Sequence, residues 1–155
     1  MTNTQVAIHG AAGRMGQRLV ALGHADETLD IVAALENASH GKIGTDAGTV
    51  AGIGEIGVAL TDEPTCPIDS LIDFSVPEAT DQAIDLCVSR SIALVMATTG
   101  LSDEQEKRLR DATKSIAVVW APNMSLAVNL TMKLATIAAE ALATNSSGVD
   151  VEIIE

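Results

Sequence analysis

Residues 5–16 read QVAIHGAAGRMG, a short apolar run that ends on three spaced glycines. The run Gln5-Val6-Ala7-Ile8-His9 has the length and flanks of a buried strand. From Arg14 to His24 the apolar period changes, and Met15, Leu19 and Leu22 fall on one helical face. A strand that passes through a glycine turn into a helix opens a parallel β–α unit. In such a turn Gly10 permits the sharp change of direction and Gly13 lets a phosphate approach the backbone. Gly16 then lets the helix lie close to the strand. The GxxGxxG spacing alone also suits a tight turn that holds no ligand. Its context is more specific. A second strand, Leu29 to Leu35, ends at Glu36, about 20 residues beyond Gly16, where a carboxylate accepts hydrogen bonds from an adenosine ribose. Turn and acid together point to a dinucleotide.

Outward from this unit the alternation continues. Gly-rich sequence from Asn37 to Thr65 shows no helical period and reads as long loops around one short strand near Gly57 to Leu60. Ser70 to Phe74 is a third core strand. Pro77, Glu78 and Asp81 suit the first turn of a helix that carries Ala79, Ala83 and Cys87 at i+4 spacing. Strands follow at Ile92 to Met96 and Ile116 to Trp120. Between them, Ser102-Asp103-Glu104-Gln105 is a capping box that starts another helix, with Arg108, Arg110 and Lys114 at its far end. A last helix, from about Ser125 to Thr144, aligns Leu126, Leu130, Leu134, Ile137 and Ala141. Val149 to Ile154 reads as a final strand. The expected fold is α/β, a Rossmann-like doubly wound parallel sheet with right-handed crossovers.

Composition narrows the partners. The chain has 155 residues, 47% of them apolar but only 1% aromatic, so its core rests on Ala, Val, Leu and Ile. Nine Lys+Arg against 21 Asp+Glu leave a net charge of -12. That field repels phosphate backbones and anionic lipid, and no basic run offsets it, so neither nucleic acid nor membrane is an expected partner. The acid excess suits either a mildly acidic cytoplasmic protein or one adapted to high salt. Cys66 and Cys87 lack the spacing of a zinc or redox site, and no His/Cys/Asp cluster has metal-ligand spacing. The amino terminus shows no basic, apolar signal segment. These features fit a cytoplasmic protein.

Three further strand ends carry small and polar residues: DFSVPE at residues 73–78, ATTG at 97–100 and APNMS at 121–125. Each alone is ordinary turn chemistry, and Ser125 is a natural N-cap. In this order and spacing, GAAGRMG, DFSVPEA, ATTGLSDEQ and APNMSLAVNL resemble 4-hydroxy-tetrahydrodipicolinate reductase (dihydrodipicolinate reductase), from about Val6 to Glu155. The resemblance implies hydride transfer from NADH or NADPH to a small unsaturated heterocycle in the diaminopimelate route to lysine. It implies that Gly10, Ala11, Ala12, Gly13, Arg14 and Met15 hold the pyrophosphate and Glu36 the adenine ribose. Ala97, Thr98 and Thr99, with Ala121, Pro122, Asn123 and Met124, would border the nicotinamide, and Phe74 would lie near the cofactor. Ala97, Met124 and Ala127 replace the Gly, Phe and Gly usual in the family, all tolerable in volume.

In the family, the strand ending at Glu155 leads into a His-His-x-x-x-Lys segment that carries the catalytic acid, and then into a substrate-binding, tetramer-forming domain. His9, His24 and His40 match no part of that segment, so no catalytic residue is assigned within this chain. The expected division is a dinucleotide-binding domain over 1–148, with 149–155 starting a truncated second domain of a homotetramer. Glu36 followed by Asn37, rather than by the Arg often found there, favours NAD over NADP, although Arg14 and Lys42 offer partial compensation. Two alternatives stay open on sequence: a stand-alone NAD(P)-binding module, and the cofactor half of another amino-acid dehydrogenase.

Overall fold

A computed structural model of the chain describes residues 2–143 and 152. They fall into two units, Met1–Pro122 and Asn123–Glu155. The first unit runs β1 (Thr4–His9), α1 (Arg14–Ala25), β2 (Leu29–Leu35), α2 (Ala47–Ala51), β3 (Leu60–Thr61), β4 (Ser70–Asp73), α3 (Pro77–Arg90), β5 (Ala93–Met96), α4 (Asp103–Ala112) and β6 (Val118–Trp120). Its six strands form one sheet in the order β3-β2-β1-β4-β5-β6, and every pairing is parallel. The expected doubly wound α/β sheet is therefore present. Strand order reverses between β1 and β4, which opens a crevice at their carboxyl ends.

Two apolar layers cover the sheet, and β1 shows how they are divided. Val6 and Ile8 join Val20 of α1 and Ala47 of α2 on one face. Ala7 joins Ala83, Ile84 and Cys87 of α3 and Leu109 of α4 on the other. His9 has the same strand parity as Ala7 and so belongs to the α3 face. Arg108 of α4 ties the two helices of that face together through Asp81 and Asp85 of α3, at 2.6 and 2.5 Å. The capping box is present, with Ser102 accepting from the Gln105 N–H and the Gln105 side chain accepting from the Ser102 N–H. In the second unit, α5 (Leu126–Leu142) starts where Ser125 accepts from the Val128 N–H.

Three expectations need correction. The Gly-rich stretch contains a helix, α2, because Asp46 accepts hydrogen bonds from the N–H groups of Gly48 and Thr49 and, across the loop, of Ile56, Gly57 and Val58. The short strand there is β3, Leu60–Thr61, later than Gly57 to Leu60. The buried face of α1 is Gly16, Val20 and Gly23, while Met15 and Leu22 are half exposed. Leu19 does pack against this core beside the fully buried Val20, and the glycines on either side let the helix approach closely. The strand expected over Val149 to Ile154, and the boundary after residue 148, lie outside the described residues apart from Glu152. Among the described residues no helix is long and apolar enough to cross a membrane.

Candidate functional site

The glycine turn after β1 sits at the crevice. Gly10 adopts φ +74°, and a Cβ there would lie 2.8 Å from the Phe74 carbonyl oxygen, so the turn needs glycine for both conformation and space. The N–H groups of Gly10 and Ala11 donate to the Leu35 carbonyl at 3.0 and 3.1 Å, which fastens the turn to the end of β2. Gly13 is the N-cap of α1 and supplies no side-chain cap. The first-turn N–H groups of Arg14, Met15 and Gly16 have no acceptor among the described residues, and they lie at the positive end of the helix dipole. A Cβ on Gly13 would meet only the Gly10 carbonyl oxygen, at 3.1 Å. The ground above the turn is open and electropositive, as an anion requires.

Glu36 stands directly against this turn. Its Oε2 accepts from the Ala12 N–H and its Oε1 from the Asn37 N–H, both at 3.1 Å. The other strand ends gather around a carboxylate. Asp73, the last residue of β4, is fully buried. It accepts from the Ser75 N–H at 3.0 Å and from the Thr98 hydroxyl at 3.2 Å. Its Oδ1 also lies 3.0 Å from His9 Nδ1. That approach lacks the angle of a directed hydrogen bond. The Ala97 N–H donates to the Asp73 carbonyl and the Ala121 N–H to the Met96 carbonyl.

The first unit thus brings the Gly10 to Met15 turn, Glu36, Phe74, Ala97, Thr98, Thr99, Ala121 and Pro122 to the carboxyl edge of one sheet. Thr98 turns its hydroxyl inward to Asp73, whereas Thr99 is exposed. Asn123 and Met124 belong to the second unit, where Asn123 accepts from the Ser125 N–H at 2.8 Å.

Burial opposes the charge on Asp73, but the contacts with His9 and Ser75 and the attraction of His9 outweigh it, and the carboxyl is held below its usual range. The same charge, after burial itself, pushes the Cys87 thiol up to about 12. A carboxyl depressed in the fold stabilises the fold above its unfolded value, and that contribution is lost as pH falls through the folded value. Asp73→Asn is expected to cost about 2 kcal/mol at neutral pH. Urea unfolding of the two proteins should differ most at neutral pH and converge in strong acid. A constant difference across that range would contradict an ionised Asp73.

Sequence reading missed the walls of the crevice. Two clefts of about 330 and 230 Å³ share His9, Asp62, Glu63 and Gln82. The smaller is also lined by Glu36, Asn37, Val76 and Ala79. Asp62 and Glu63 follow β3 in a loop with no periodic signal, so only the sheet order brings them beside Glu36. Among the described residues no group of three or more His, Cys, Asp or Glu is arranged to hold a metal ion.

The family model for dihydrodipicolinate reductase, N-terminus, matches residues 4–124. The chain belongs to this reductase family. A 4-hydroxy-tetrahydrodipicolinate reductase from Rhodopirellula baltica is 47% identical over 97% of this chain and 55% of its own length. The enzyme of that name from Alkalilimnicola ehrlichii is 46% identical over 98% of this chain and 57% of its own length. The chain therefore spans about half the length of the curated relatives it matches. Among solved structures, a dipicolinate-bound dihydrodipicolinate reductase from Paenisporosarcina superposes with a TM-score of 0.68 at 25% identity, covering 89% of this chain and 54% of that one. The family match spans every strand of the sheet and all the site segments of the first unit.

Proposed function

We propose that this chain is the cofactor-binding half of a cytoplasmic 4-hydroxy-tetrahydrodipicolinate reductase, an NAD(P)H-dependent oxidoreductase of lysine biosynthesis. The observation that carries this reading is the glycine turn at the switch point of the sheet, its first-turn N–H groups without an acceptor among the described residues and Glu36 bonded to it. When bound, the nicotinamide supplies the hydride. The chain's own residues bind and orient. The N–H groups of Arg14, Met15 and Gly16 attract the pyrophosphate, and the bare Gly13 leaves it room. Glu36 accepts from the adenine ribose, while Phe74, Ala97, Thr98 and Thr99 flank the dinucleotide. On this reading Ala121 and Pro122 border the nicotinamide end. Substrate and proton donor belong to the rest of a homotetrameric protein.

NADH is the favoured cofactor. Glu36, Asp62 and Glu63 line the cleft beside Asn37, so a 2′-phosphate there meets carboxylates without a lysine or arginine among the lining residues. Fluorescence titration should show NADH binding more tightly than NADPH at matched salt. Asn37→Arg should raise the NADPH-to-NADH affinity ratio about tenfold, since a guanidinium forms charge-assisted bonds to phosphate. Failure to bind either dinucleotide would overturn the assignment. Equal binding of both would overturn the preference alone.

A further inference from the structure

The buried pair at the floor of the crevice has a use that the glycine turn does not exhaust. Asp73 is a fully buried carboxylate, and His9 is the basic side chain that meets it. Burying an ionised carboxylate is costly without a partner of opposite charge. The ring edge bearing Nδ1 faces Asp73 and is buried. The histidine nonetheless lines both clefts, and its Nε2 has no partner among the described residues. Along the smaller cleft, where Glu36, Asp62 and Glu63 all contribute carboxylates, His9 is the basic lining residue. Its position, one residue before Gly10 on the face that carries α3, sets it below the space between Glu36 and the first turns of α3.

We propose that His9 is a binding residue for the adenosine half of the dinucleotide, its Nδ1 edge packed against Asp73 and its Nε2 offered to the cofactor. This rests on the dinucleotide reading above and adds a residue to it. The consequence is a cofactor affinity linked to protonation. An imidazolium presents Nε2 as a charged donor in a cleft otherwise lined by acids, and the neutral ring lacks that charge. The charged and titratable groups around the ring are Asp73 of β4, Glu36 after β2, Asp62 and Glu63 after β3, and Asp85, Cys87 and Arg90 of α3. Arg90 is already engaged, donating to the Pro64 carbonyl at 2.9 Å.

NADH affinity of the unmodified protein, His9→Gln and the surface control His24→Gln should be measured from pH 6 to pH 8. The unmodified protein and His24→Gln should bind about fivefold more tightly at pH 6 than at pH 8. In His9→Gln that slope should vanish, with affinity at pH 6 about tenfold weaker. The surrounding acids remain in His9→Gln, so any slope they cause survives the substitution. Because losing His9 removes the basic neighbour of buried Asp73, an NMR readout on the unmodified protein stands beside the variants: saturating NADH should shift the His9 ring resonances and leave those of His24 in place. Identical pH profiles for the unmodified protein and His9→Gln, or a His9 ring unmoved by NADH that binds, would overturn the proposal while leaving the dinucleotide site intact. No NADH binding by any form would instead remove the reading on which it rests.

Discussion

Gly16→Ala is expected to lose about 3 kcal/mol of folding stability, a large share of the roughly 5–15 kcal/mol that holds a domain of this size. A methyl group at this position would lie 2.1 Å from the Gly10 carbonyl oxygen and 2.6 Å from the Ala11 Cα. Both obstacles are backbone, and Gly10 is itself pinned by its N–H to Leu35 and by the closeness of Phe74. Neither can swing aside as a side chain would. Alanine gains roughly 1 kcal/mol of helix propensity over glycine, which the overlap exceeds. The midpoint of urea unfolding should fall accordingly. A variant as stable as the parent would show that α1 does not pack this closely on the turn.

Gly13→Val should lower that midpoint much less than Gly16→Ala does and instead weaken NADH binding at least about 100-fold. Gly13 has an extended backbone conformation that valine adopts readily. A Cβ there meets one atom, the Gly10 carbonyl oxygen at 3.1 Å, which a shift of a few tenths of an ångström relieves, against the 2.1 and 2.6 Å overlaps at Gly16. Three residues apart, the two glycines therefore separate fold from function. At Gly13 the valine branches would occupy the ground in front of the Arg14 and Met15 N–H groups, where the pyrophosphate is proposed to sit. Fluorescence titration with NADH checks this, with circular dichroism as the control for folding. A folded Gly13→Val protein that binds NADH as tightly as the parent would move the phosphate site away from this turn.

Much of the architecture was legible because its signals are local. The apolar runs at 5–9, 29–35 and 70–74 coincide with β1, β2 and β4 to within one residue. Pro77 opens α3, and the Ser102 capping box opens α4 as its spacing predicts. A five-residue helix such as α2 has no such signal, since it is shorter than two turns and includes Gly48. It exists because one Asp46 carboxylate collects N–H groups from both sides of a loop. The face of α1 misled for a related reason. Periodicity marks the largest apolar residues, and of these Leu19 packs on the core while Met15 and Leu22 are half exposed; the buried line is Gly16, Val20 and Gly23. A Cβ on Gly23 would reach the Ile31 side chain at 2.5 Å.

The site divides in the same way. Sequence by itself determined that a strand, a glycine turn and a helix stand in succession, that an acid ends the next strand, and that small polar residues close three more. Those are properties of neighbouring residues, set by backbone sterics, caps and hydrophobic period. Only the tertiary structure decided that Glu36 reaches the Ala12 N–H, that Asp62 and Glu63 face it, and that His9 meets Asp73. Those contacts join strand ends far apart along the chain, and they follow from the sheet order β3-β2-β1-β4. Strand order reflects which apolar faces bury one another best, a sum over the whole core that no single stretch of sequence contains.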